Sequence, residues 1–143
     1  MKKLRISSRA SDAQKVRQAV LPAVKARGYS ADARFAIRLA MDEAIANAIH
    51  HGNGDDASKR IHIEYEVNDD RVSISVRDDG TGFEPSKVPD PTLTENLQKP
   101  HGRGIMLMNA YMSRVSYNNQ GNCVTMVKDR NCTRPRSALD SDK

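Results

Sequence analysis

The feature that most restricts the fold of this chain is the stretch "IHIEYEVNDDRVSISVRD", Ile61–Asp78. Ile61, Ile63, Tyr65 and Val67 alternate with His62, Glu64 and Glu66, and Val72, Ile74 and Val76 alternate with Ser73, Ser75 and Arg77. A period of two with one apolar face predicts two antiparallel strands covered on one side only, and "NDD" is a turn signal between them. Parity then assigns the acids that follow. Asp78 continues the inward set and Asp79 the outward one. A carboxylate delivered to the covered face at a strand end, with Gly80 and Gly82 just beyond it, suits close passage of a flat ligand. An ionised carboxylate only accepts hydrogen bonds, so an exocyclic amine such as that of adenine would fit. The alternative is a glycine turn decorated with acids. An EF-hand reading fails, because the spaced acids and terminal glutamate of that loop are absent.

The rest of the chain predicts what covers the sheet. Lys3–Ser7 alternates as a short edge strand. Val16, Ala19, Val20, Ala23 and Val24 have helical spacing from Asp12, a candidate cap, to about Arg27; Pro22 should kink this helix and Gly28 end it. Ser30 is a candidate cap for a second helix, about Ala31–His51, closed by Gly52. "GIMLMNAYM" reads as a short helix, and "SRVSYN" and "CVTMVKD" as strands joined by "NQGN". Helices gathered on one face of a mixed, mostly antiparallel sheet give an α/β two-layer sandwich. At 143 residues the chain is long enough for one domain with a real core, expected over 1–130, with a disordered polar tail over 131–143.

The second helix contains an anomaly. In "MDEAIANAIHHG", Glu43 and Asn47 lie about 40° apart on one face. Their neighbours Ala36, Ala40 and Ala44 are small, while Ile37, Met41, Ile45 and Ala48 fill the adjacent stripe. A helix apolar nearly all round is buried, and a buried carboxylate needs a partner or takes up a proton. The alanines leave room for that partner. A hydrated Mg²⁺ would suit the amide oxygen of Asn47, with Glu43 placed to act as a base towards a group held near the ion. The alternative is structural: Glu43 pairs with an arginine and Asn47 satisfies a backbone group.

Between Gly80 and Arg103 there are four prolines, three glycines and almost no periodicity. Loops this long inside a compact domain are usually functional. The loop ends in "KPHGRGIMLM", where Gly102 and Gly104 stand before a helix start, a potential anion site with Lys99 and Arg103 adding positive charge. An ordinary glycine-rich helix entry is the alternative.

Composition excludes other classes. The formal charge of +5 suits an acidic partner, but aromatics are only 4% and the basic residues are scattered, which disfavours nucleic acid. No apolar run approaches a membrane span or a secretory signal. Two cysteines, Cys123 and Cys132, are too few for a disulfide scaffold and suggest a reducing cytoplasm. His50 and His51 point about 100° apart and cannot share a metal. His51 and His101 read as rim and loop residues.

Taken in order, "DEAIANAIHHG", "DDGTGF" and "HGRGIMLM" resemble the three nucleotide-binding boxes of the Bergerat-fold ATPases, the superfamily of gyrase B, the heat-shock chaperone, histidine kinases and mismatch-repair ATPases. The short length and close spacing look most like its bacterial anti-sigma-factor serine kinases. The resemblance spans about Arg5 to Lys128. It implies ATP and Mg²⁺ as cofactors, Glu43 as general base and Asn47 as Mg²⁺ ligand. It implies Asp78 as the adenine reader, with Gly80, Gly82 and Phe83 in the adenine pocket. Lys99, Gly102, Arg103 and Gly104 would form the phosphate loop, preceded by a lid over about 84–103. The implied partners are a sigma factor and an antagonist protein carrying a target serine, with a homodimer compatible and no nucleic acid or membrane involved. One position departs from the pattern: Asn122 stands where many members carry an adenine-contacting threonine. No upstream helical hairpin with a phospho-accepting histidine is present, against a histidine kinase. The alternative from another class is a non-catalytic nucleotide-binding regulator that sequesters a sigma factor or other partner. A conformational ATPase fits less well, since no second domain is evident for a lid to act on.

Overall fold

A computed structural model describes residues 1–80 and 108–132 of the protein. Five strands form one sheet: β1 (Lys2–Ser7), β2 (Arg60–Val67), β3 (Arg71–Asp78), β4 (Arg114–Tyr117) and β5 (Cys123–Asp129), in the order β1-β2-β3-β5-β4. Every described pairing is antiparallel, so the mixed sheet expected from sequence is antiparallel throughout its described strands. The hairpin register sets Ile61 opposite Asp78 and Ile63 opposite Val76. Ile61, Ile63, Tyr65, Val72, Ile74, Val76 and Asp78 are buried. The intervening side chains are half-buried or exposed, as the alternation requires. Asn68 shapes the turn, accepting from the N–H groups of Asp70 and Arg71 through its side-chain oxygen.

Two helices cover this face. α1 (Ala13–Ala26) follows a single 3-10 turn, Ala10–Asp12, and buries Ala13, Val16, Val20 and Val24. Asp12 holds the cap position without capping. Its carboxylate instead accepts the Ser7 N–H at 3.2 Å, tying the helix entry back to β1. Pro22 is accommodated inside α1. Gly28, at φ +78°, ends the helix with a paired closure: its N–H bonds Lys25 O and the Tyr29 N–H bonds Val24 O. This satisfies two carbonyls that a helix end leaves open.

α2 (Ala31–Asn47) begins as read from sequence, with Ser30 Oγ accepting the Ala33 N–H at 3.1 Å. Its continuation differs. Over Ala48–Gly52 the helix widens into a π-helical turn, closed by the Asn53 N–H on Ala48 O at 2.8 Å. The helix is also less enclosed than its sequence suggests, because Phe35 and Arg38 are exposed. Residues 108–111 form a last helical turn whose Met108 is fully buried. The buried Lys128 fastens this turn to the sheet by donating from Nζ to Tyr111 O. No helix of the described residues is long and apolar enough to cross a membrane.

Candidate functional site

The sequence-identified residues fall into two described groups and one that lies outside the described residues. Gly82, Phe83, Lys99, His101, Gly102, Arg103 and Gly104, with the expected lid over 84–103, belong to the last group, as does the tail beyond Cys132.

The first described group is the end of β3. Asp78 is buried, at 8% exposure, and Asp79 is on the outer side, so the parity argument holds. The Asp78 backbone is fixed by its own N–H, which donates to Asn122 O at 2.9 Å. Oδ1 of Asp78 accepts the Gly80 N–H at 2.8 Å. Burial pushes the Asp78 carboxyl above the usual carboxylate range; the Gly80 N–H opposes this, and the neighbouring Asp79 charge adds to it. Asp79 behaves oppositely. Slight burial pushes it up, but the Arg60 N–H at 2.9 Å and His62 Nε2 at 3.0 Å draw it below the usual range. Two adjacent acids thus have different chemistry because the strand turns them to different sides.

Glycines make this arrangement possible. A Cβ added to Gly52 would lie 2.1 Å from Asp78 Oδ2, and one added to Gly80 would lie 1.9 Å from Gly52 O. The Asp78 carboxylate therefore rests directly on the backbone of the π-helical turn. In the sequence Gly52 signals only a helix stop and Asn53 carries no assigned role, yet Asn53 is 2% exposed and joins the π-helical turn to the strand ends. The only local sign was a polar residue between two glycines, in "HGNG".

The second group is Glu43 and Asn47 on α2. Both are half-buried rather than enclosed, at one margin of the buried stripe formed by Ala33, Ile37, Ala40, Met41 and Ala44. Ala36, Ala40 and Ala44 have almost no exposure, so the expected space is not beside the alanines. Among the described residues, neither the Glu43 nor the Asn47 side chain has a hydrogen-bond or ion-pair partner. The arginine pairing considered for Glu43 belongs to its neighbour: Asp42 takes Arg17 at 2.7 Å and Arg38 at 3.9 Å. At about 100° per residue the helix turns Asp42 towards α1 and Glu43 away from it. A half-exposed carboxylate and a carboxamide oxygen, one turn apart and without partners among the described residues, are suitable donors for a hydrated hard cation. No cluster of three or more His, Cys, Asp or Glu residues capable of holding a metal occurs among the described residues.

Asn122 lies beside Asp78, but its side-chain oxygen already accepts from Asn118 Nδ2 at 2.7 Å. His50 pairs outward with Asp55. A separate groove of ≈ 800 Å³ between α1 and α2 is lined by Arg17, Leu21, Arg34 and Phe35, among others, on the side of α2 away from Glu43.

Comparison with known proteins places this geometry in a family. The family model "Histidine kinase-like ATPase domain" matches residues 6–128. The chain is 29% identical over 106 residues to the serine-protein kinase RsbW of Oceanobacillus iheyensis, covering 70% of this chain and 67% of that protein. It is 35% identical over 101 residues to the anti-sigma F factor of Clostridium perfringens, covering 66% and 71%. It is 31% identical over 91 residues to the serine/threonine-protein kinase BtrW of Bordetella bronchiseptica, covering 62% and 64%. In three dimensions it is similar to the RsbU and RsbW domains of Rv1364c from Mycobacterium tuberculosis, with a TM-score of 0.60, 18% identity and coverage of 96% of this chain and 35% of that one. A match over most of the chain, on a fold of two helices against one sheet face, settles the assignment: the protein belongs to the histidine kinase-like ATPase family.

Proposed function

We propose that the protein is an ATP-dependent serine kinase that also acts as an anti-sigma factor, in a cytoplasmic partner-switching pathway. Its relatives bearing the names serine-protein kinase and anti-sigma F factor support this reading. The observation that carries the catalytic part is the state of Glu43. It is half-exposed and has no partner among the described residues, while the adjacent Asp42 neutralises the nearby arginines. A pure binding module has no need of an uncommitted base at that position.

In this reading one domain, about 1–130, holds ATP with its base at Asp78 and Gly80 and its phosphates along α2. Gly82, Phe83, Lys99, Gly102, Arg103 and Gly104 complete the pocket and the phosphate loop beneath the lid. Asn47 would hold Mg²⁺ together with the phosphates. Bound there, the ion would neutralise charge on the transferring phosphoryl group. Glu43 would accept the proton of a serine hydroxyl on an antagonist protein as that oxygen attacks the γ-phosphorus. The β–γ bridging oxygen leaves with ADP. Such transfer depends on positioning and charge stabilisation, so a single well-placed base suffices.

Two expected results test the nucleotide part. Asp78→Asn preserves shape but turns a donor towards the adenine amine, and ATP affinity should fall roughly ten- to a hundred-fold. Its stability should not fall with it. The raised carboxyl means that the folded state holds this proton more tightly than the unfolded chain does. Stability from this group is therefore greatest in acid and declines as pH rises through the ordinary carboxylate range towards the raised value. Above that range the ionised, buried group is a standing cost, which the amide removes. Nucleotide-free Asp78→Asn should melt at or above the wild-type temperature at neutral pH, measured by calorimetry. Lower melting together with lower affinity would make Asp78 a structural acid. In the second test, Asn47→Ala should weaken ATP binding in Mg²⁺ more than in EDTA. Equal weakening in both would assign Asn47 to packing.

A further inference from the structure

We infer that Asn53 is a positioning residue for nucleotide-base recognition: it fixes the strand end that presents Asp78, and so sets the preference for a base carrying an exocyclic amine. The inference rests on the reading of Asp78 given above. Asn53 is 2% exposed and its side chain uses both ends. Oδ1 accepts the Asp79 N–H at 2.8 Å. Nδ2 donates to Arg60 O and to Ser8 Oγ, each at 3.1 Å. The backbone N–H and C=O among these partners admit only one orientation of the amide. Its own N–H closes the π-helical turn on Ala48.

Of these bonds, the one from Oδ1 acts on the Asp78–Asp79 peptide unit, and the others fix the amide that makes it. The last ladder pair of the hairpin is Ile61 with Asp78, so beyond it β3 has no strand partner on the β2 side. Asn53 supplies that partner from a side chain. The Asp78 backbone is then held before the residue by Asn122 O and after it by Asn53 Oδ1. Asn53 also directly follows Gly52, the surface on which the Asp78 carboxylate rests. One residue thus sets both the height of the carboxylate and the floor beneath it. Ser8, 3% exposed, anchors the far side of the amide to the end of β1.

The test compares ATP with purine riboside triphosphate, which lacks the 6-amino group, by calorimetric titration in Mg²⁺. Wild-type protein should favour ATP on the order of ten-fold or more. Asp78→Asn should abolish the preference, Asn53→Ala should reduce it towards unity, and the double variant should lose nothing further. Equal weakening of both nucleotides by Asn53→Ala would make it a general scaffold residue and overturn the inference. A preference abolished by Asp78→Asn but intact in Asn53→Ala overturns the inference alone. A preference untouched by Asp78→Asn overturns the reading of Asp78 and the inference with it. Should Asn53→Ala fail to fold, Ser8→Ala removes a single anchor of the amide and is measured in the same way. A smaller ATP preference supports the inference, and an unchanged one overturns it.

Discussion

Glu43→Gln should retain ATP and lose phosphoryl transfer. The amide has nearly the volume of the carboxylate and keeps an oxygen acceptor, so binding has little reason to change. It cannot take a proton from an attacking hydroxyl, and general-base contributions are typically about 10²–10⁴-fold. The site geometry makes this substitution unusually clean. Glu43 has no described partner to lose, whereas the same change at Asp42 would release Arg17 and Arg38. Melting temperature should therefore be nearly unchanged in Glu43→Gln and lowered in Asp42→Asn. Steady-state transfer, ATP affinity and melting measured on both variants separate a base from an ion-pair member.

Gly80→Ala should cause the largest loss of binding. A methyl group 1.9 Å from Gly52 O cannot be accommodated without moving backbone, since the two nearest atoms are the carbonyl oxygen and carbon of Gly52 and the next is Asp78 Oδ1 at 2.9 Å. Overpacking of this kind costs about 1–3 kcal/mol in stability. The displacement also moves the N–H that Asp78 Oδ1 accepts, and with it the carboxylate. Losing a charge-assisted contact to the base adds about 1.5–3 kcal/mol to the loss of affinity. ATP affinity should drop at least as far as in Asp78→Asn, but here with a lower melting temperature. Gly54→Ala, in the turn that follows the π-helical segment, is the control for glycine loss, because a Cβ there meets nothing within 4 Å, although φ +61° adds local strain. Stability of Gly80→Ala equal to wild type would contradict the contact between the π-helical turn and the strand end.

Local physics explains which parts of this fold were legible in the sequence. The hairpin was readable to the level of individual side chains because its period of two leaves one register with a buried face, and Asp78 inherited its orientation from Val72, Ile74 and Val76. Ser30 and Gly28 marked helix ends through interactions within a few residues. The π-helical turn was not legible. Widening over Ala48–Gly52 brings Gly52 beneath Asp78, and no spacing within the helix encodes a contact across that many residues. Asn53 escaped notice for the same reason: its side-chain partners are Ser8, Arg60 and Asp79, two of them remote in sequence. The alanine face suggests space in the sequence but is buried packing in the fold, because small residues signal close approach as readily as a cavity. That the arginines pair with Asp42 and not with Glu43 follows from which side of α2 faces α1, which the sequence alone does not show.

Phosphoryl transfer to a protein serine is the activity on which the roles of Glu43, Asn47 and Asp78 depend. The decisive assay incubates the wild-type protein with γ-labelled ATP, Mg²⁺ and a candidate antagonist that offers a serine acceptor, with Glu43→Gln in parallel. Label should appear on a serine of the antagonist with wild-type protein, and at least about a hundred-fold less with Glu43→Gln at equal ATP occupancy. An antagonist bound in the presence of ATP but left unlabelled by the wild-type protein would rule out the kinase activity, and one labelled equally well by Glu43→Gln would remove Glu43 as its base.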